Sequence, residues 1–131
     1  YPVTDYHTPG TPSYAENAEG YGLTRSTMEW FWDHYLGDPA EADNPHASPL
    51  RATSLARLPP AYVVSAEYDP LRDEAERYGE RLRGAGVPVE IVRCAGMNHG
   101  FLFWVGIVGG ADTAMEAACD WARRRFSREG A

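Results

Sequence analysis

The sequence predicts an α/β chain built on parallel strands, and three observations carry that prediction. An apolar, β-branched run at residues 61–66 lies between Pro59-Pro60 and Glu67-Tyr68-Asp69-Pro70, which fits a short buried strand ending in a sharp polar turn. Behind it Leu71, Ala75, Tyr78 and Leu82 recur at helical spacing until Gly84-Ala85-Gly86 stops the helix. Val87-Pro88 then leads into a second strand at residues 89–93, and strand, helix and strand in close succession form a βαβ unit with a right-handed crossover. Both strands therefore end on the same edge of the sheet.

The bulk properties narrow the class. With 131 residues, 44% hydrophobic and 24% charged, the chain suffices for one domain core. Its net charge of −7 and pI near 5.0 argue against nucleic acid and anionic membrane as partners, since both demand a basic face. No apolar run approaches the ~20 residues that span a bilayer, and the first residues lack a basic-then-apolar signal pattern. Cys94 and Cys119 have no metal-ligand spacing and read as buried free thiols, so a reducing, cytoplasmic location is expected. The chain begins at Tyr1 rather than methionine, and it reads as part of a longer polypeptide.

The remaining elements follow in order. Residues 1–5 read as the end of a strand. Residues 6–60 form a loop-rich excursion, irregular from His7 to Gly22 with its Pro, Gly and Ser. Within it Ser26 and Glu29 suggest a capping box ahead of Met28, Phe31, Trp32, Tyr35 and Leu36, an amphipathic helix whose aromatic face is expected to pack on the core, closed by Gly37. Prolines break residues 38–60, with one helical turn expected over 54–58. On the helix after the first strand, Asp73 and Glu74 are expected on the wet side, each paired with Arg77, and Glu80 with Arg83. Residues 61–131 hold the strand-helix-strand unit, a loop from Cys94 to Phe101, and a last helix from Asp112, its N-cap, to Arg128, burying Ala118, Trp121, Ala122 and Phe126.

Chemistry gathers at the strand ends. Asp69 sits just past the first strand and His99 in the loop after the second, on the same edge, where neighbouring parallel strands are ~4.8 Å apart. A buried carboxylate can hold the Nδ1 proton of an imidazole, fixing its tautomer and leaving Nε2 as a general base toward a nucleophile. A plain turn or helix-capping role is the alternative for Asp69. His7, His34 and His46 show no partner pattern, no cofactor signature occurs, and a metal at Asp69 and His99 would need a third ligand that the sequence does not offer.

These same stretches carry a resemblance. The run Leu58-Pro-Pro-Ala-Tyr-Val-Val-Ser-Ala-Glu-Tyr-Asp-Pro-Leu-Arg-Asp-Glu74, then Tyr78, Arg81-Leu82, Ala85-Gly-Val-Pro-Val89 and Gly96-Met-Asn-His-Gly-Phe101, resembles the C-terminal part of the hormone-sensitive-lipase-like esterases. The resemblance implies the C-terminal portion of an α/β-hydrolase fold, with the N-terminal half absent. It also implies hydrolysis of small-molecule carboxylic esters by a Ser-Asp-His triad in which Asp69 matches the acid and His99 the base. Tyr1-Pro-Val-Thr-Asp5 looks like the family's strand after the nucleophile helix.

The departure is upstream. None of the serines at positions 13, 26, 48, 54, 65 and 127 has glycine two residues to either side, as a nucleophile elbow requires, and the family's His-Gly-Gly oxyanion loop does not occur. The rival to an esterase part is a non-catalytic fragment or interaction module. A nucleotide-binding domain is disfavoured, since no Gly-x-Gly-x-x-Gly or P-loop pattern follows a strand. A few strands without sheet partners also leave an open edge, a route to self-association.

Overall fold

The computed structural model describes residues 1–127 and divides into two compact units, residues 1–99 and the residues from Gly100 onward. In the first unit a short helix α1 (Pro12–Glu16) precedes α2 (Arg25–Tyr35), 3₁₀ turns at Pro39–Asp43 and Pro49–Arg51, strand β1 (Ala61–Tyr68), helix α3 (Arg72–Gly84) and strand β2 (Val89–Asn98). The second unit holds a 3₁₀ turn at Phe101–Trp104 and helix α4 (Gly109–Phe126).

The strands pair in parallel, from Ala61 opposite Val89 to Ala66 opposite Cys94. The ladder then slips, and Tyr68 pairs with Asn98, so β2 spends more residues than β1 over the same stretch. Gly96 makes this irregularity tolerable: its φ of 73° is one that side chains resist, and its N–H donates to Glu67 at 2.6 Å. The expected loop from Cys94 is thus mostly strand, and it delivers His99 at the strand's very end. α3 covers the pair closely, because a Cβ on Gly79 would come within 2.6 Å of the Ile91 side chain. Leu82 and Val87 pack with Leu55 at one end of this layer, while Leu71 packs with Tyr14, Met28 and Trp32 at the other.

Several expectations are corrected. Among the described residues, residues 1–5 form no ladder; the N–H of Thr4 donates to the Glu74 carboxylate and its carbonyl accepts from Leu50 at 2.8 Å. α1 interrupts the predicted loop, started by Pro12 in its first turn. α2 is capped by Thr24, whose side chain accepts from Thr27 N at 3.1 Å. Ser26 lies inside the helix, and Glu29 pairs with Arg25 at 2.8 Å. Only Met28 and Trp32 of its aromatic face are buried. Phe31 and Tyr35 remain exposed. Residues 54–58 form no helix, and Arg57 there has a φ of 64°.

In the second unit α4 begins at Gly109 rather than at Asp112, whose carboxylate instead accepts from Gly106 N at 2.7 Å. Ala111 and Ala114 are buried, Ala118, Trp121 and Ala122 are half-buried, and Phe126 is exposed. Arg128 lies outside the described residues. Among those residues no helix is long and apolar enough to cross a membrane.

Candidate active site

The turn from β1 into α3 places Asp69. Pro70 suits the entry to a helix and bars the α region for the residue before it. Leu71 is inserted into the cluster of Tyr14, Met28 and Trp32, which pins the turn to the core. The Asp69 side chain is wholly buried. Its Oδ1 accepts from the N–H of Leu71 at 2.9 Å, and its Oδ2 lies 2.8 Å from Nδ1 of His99. The turn-capping role and the histidine contact are therefore not alternatives: each takes one carboxylate oxygen.

The backbone of this turn is held from α1. Ser13 Oγ donates to the Pro70 carbonyl at 2.6 Å, and Asn17 Nδ2 donates to the Asp69 carbonyl at 3.3 Å. Asp73 accepts from Ser13 N at 2.9 Å and pairs with Arg72 at 2.9 Å, so its carboxylate is engaged with these groups rather than with the expected Arg77. Ser13 and Asn17 carry no sequence signal, because their partners lie more than 50 residues away.

Glu74 departs furthest from expectation. It is buried, not on the wet side: its Oε1 accepts from Thr4 N at 2.6 Å and Asp5 N at 3.2 Å, while its own carbonyl accepts from Thr4 Oγ1 at 2.9 Å. Burial outweighs these bonds and pushes its carboxyl up to about 7, with the Asp5 charge adding to the rise. Burial likewise pushes up the Tyr14 phenol, helped by the neighbouring Glu74. The Tyr14 hydroxyl is buried near Glu74 and Trp32.

His99 is half-buried, with the Tyr1 ring against its imidazole, centroids 4.6 Å apart and planes at 56°. Beside it opens a cavity of about 490 Å³ lined by His99, Val3, Met28, Phe31, Trp32 and Tyr35 among others, so the exposed side of the α2 aromatic face forms a wall next to the imidazole. A second cleft, about 640 Å³, is lined by Asp73, Glu76, Arg77, Glu80 and Arg81 of α3 and includes neither Asp69 nor His99. Its lining sets the carboxylates of Asp5, Asp73, Glu76 and Glu80 against the guanidinium groups of Arg77 and Arg81. Among the described residues no cluster of His, Cys, Asp or Glu is arranged to hold a metal ion.

A carboxylate without solvent that is hydrogen-bonded to Nδ1 of an imidazole fixes one tautomer of that ring, and here the ring also borders an apolar cavity. The family model for the α/β-hydrolase fold matches residues 1–103. The carboxylic ester hydrolase LipN of Mycobacterium tuberculosis is 37% identical over 129 residues, 98% of this chain and 34% of its own length. The ethyl acetate hydrolase of Pseudomonas putida is 36% identical over 115 residues, 88% of this chain and 36% of its own. EstE1, a thermophilic carboxylesterase cloned from a metagenomic library, superposes with a TM-score of 0.90 at 42% identity, over 95% of this chain and 42% of that one. The chain belongs to the α/β-hydrolase-fold family, among its hormone-sensitive-lipase-like esterases. It spans about a third of the length of the curated relatives it matches.

Proposed function

We propose that this chain supplies the acid and the base of a serine-type carboxylic-ester hydrolase. The observation that carries the reading is the 2.8 Å contact between His99 Nδ1 and the fully buried Asp69 Oδ2. Asp69 keeps the Nδ1 proton in place, so Nε2 is the free base, and it stabilises the imidazolium that forms when His99 takes a proton. A serine Oγ deprotonated by Nε2 attacks the ester carbonyl. His99 then returns the proton to the departing alcohol, and the acyl-enzyme is hydrolysed by a water that the same base activates. The cavity beside His99, with its wall of Phe31, Trp32 and Tyr35, suits an apolar acyl or alcohol group of a small ester.

No serine of this chain stands in a Gly-x-Ser-x-Gly turn, so nucleophile and oxyanion donors come from residues outside this sequence. The same observation favours a second reading, a fragment without catalysis. The two separate in one experiment. Mixed with the N-terminal portion of a relative such as EstE1, which would bring serine and oxyanion loop, the chain restores cleavage of a short-chain aryl ester, and His99→Ala abolishes it. No restored turnover from a co-folded mixture supports the non-catalytic fragment.

A further inference from the structure

One hydrogen bond fixes a point on an imidazole but not its plane: a ring held only through Nδ1 can still rock about that contact and swing Nε2 away from a partner. His99 has a second restraint, the Tyr1 ring 4.6 Å away. Among the described residues, Tyr1 belongs to a segment that makes no strand ladder and is bonded to side chains and backbone of other elements. The Leu50 N–H and the Arg51 side chain each make one bond to it, at the Thr4 carbonyl and the Asp5 carboxylate, and Glu74 makes three. Its carboxylate takes the N–H groups of Thr4 and Asp5, and its carbonyl takes the Thr4 hydroxyl, three bonds across some 70 residues of sequence.

Burying a carboxyl is costly, and an apolar side chain at this place in α3 would be cheaper were packing the only demand. What a carboxyl adds is an acceptor able to gather two successive backbone N–H groups. Thr4 and Glu74 are both essentially without solvent, so these bonds are not exchanged for water. The arrangement also has an economy of placement: Asp69 lies just ahead of α3 and Glu74 in its first turn, so one helix start fixes the acid directly and the restraint on the base indirectly.

We propose that Glu74 is a positioning residue for His99, holding residues 1–5 so that the Tyr1 ring sets the plane of the imidazole hydrogen-bonded to Asp69. The inference rests on His99 as the base, yet its readout is the Asp69–His99 bond itself and needs no ester turnover. In the full chain labelled with ¹⁵N-histidine, the wild-type Nδ1 proton gives a low-field resonance shielded from exchange with water. Glu74→Gln keeps a carbonyl acceptor for Thr4 and Asp5 and retains that resonance. Glu74→Ala and Tyr1→Ala each broaden it or lose it to exchange, and Tyr1→Phe, which keeps the ring, restores it. Leu82→Ala, which removes a core side chain in the Leu55 and Val87 cluster, leaves it in place and shows that lost stability alone does not produce the effect.

Should Glu74→Ala not fold, Tyr1→Ala against Tyr1→Phe decides for the ring and Glu74→Asp, whose shorter side chain withdraws the acceptor, decides for the carboxyl. A sharp, unmoved resonance in Tyr1→Ala, or in whichever of Glu74→Ala and Glu74→Asp folds, overturns the proposal. Failure of ester turnover with the Glu74 dependence of the resonance intact overturns the esterase reading and leaves this one standing.

Discussion

Asp69 and Asp73 stand four residues apart in one motif, and only their surroundings tell them apart. Asp69 is without solvent and divides its oxygens between the Leu71 N–H and His99, whereas Asp73 faces Ser13 and Arg72. In a polypeptide that completes the triad, Asp69→Asn is expected to lower kcat by up to ~10⁴, because an amide in place of the carboxylate leaves the imidazole in the wrong tautomer. Asp73→Asn is expected to leave kcat unchanged and to cost about 1–2 kcal/mol of stability through the weakened charge-assisted bonds. Kinetics and urea unfolding of the two variants check this, and loss of turnover from Asp73→Asn alone would mean that the acid is misassigned. The sequence made Asp69 legible because strand, turn and proline place it. It left Asp73's partners unread, since Ser13 arrives from a segment that no local rule joins to α3.

At the scale of elements, legibility followed periodicity. β1, β2 and α3 carry clear apolar spacing and stand where that spacing predicts, β2 being five residues longer through the irregularity at Gly96. α1 escaped because five residues are too few to show a period. At the start of α2, Thr24 and Ser26 are both good N-cap residues in sequence, and only Thr24 has the extended backbone that brings its oxygen to Thr27 N.

Spacing alone puts Glu74 on the wet face, and its burial in the structure gives it a measurable signature. Its carboxyl is raised from an ordinary 4.5 to about 7, so the folded chain holds a proton that the unfolded chain releases between those values. The associated stability is present below pH 4.5 and is lost as pH rises through about 7, on the order of 3 kcal/mol in all. Glu74→Gln removes this slope. Unfolding free energies measured from pH 4 to 8 should flatten in that variant and exceed the wild type above pH 7, and an unchanged slope would assign the pH dependence to other groups.

On the scale of the whole molecule, the two-stranded sheet is short of partners. Among the described residues β1 pairs only with β2, and the outward edges of both strands carry no ladder. Most of β2 is only half-buried, unlike the strands of a covered parallel sheet. Open edges of this kind recruit other strands, so the chain by itself is expected to elute larger than a monomer and to bind a hydrophobic dye. Monomeric elution with a sharp two-state melt would show that these edges are tolerated.

The measurement that bears most directly on the acid-base assignment is labelling by a serine-directed phosphonate. The chain alone is expected to take up no label at any of its six serines. In the mixture with the N-terminal portion of EstE1 the label should appear on the partner's serine, and His99→Ala should suppress it, because an unassisted hydroxyl is a weak nucleophile. A label mapped to a serine of this chain, or labelling of the partner that is indifferent to His99→Ala, would contradict the account.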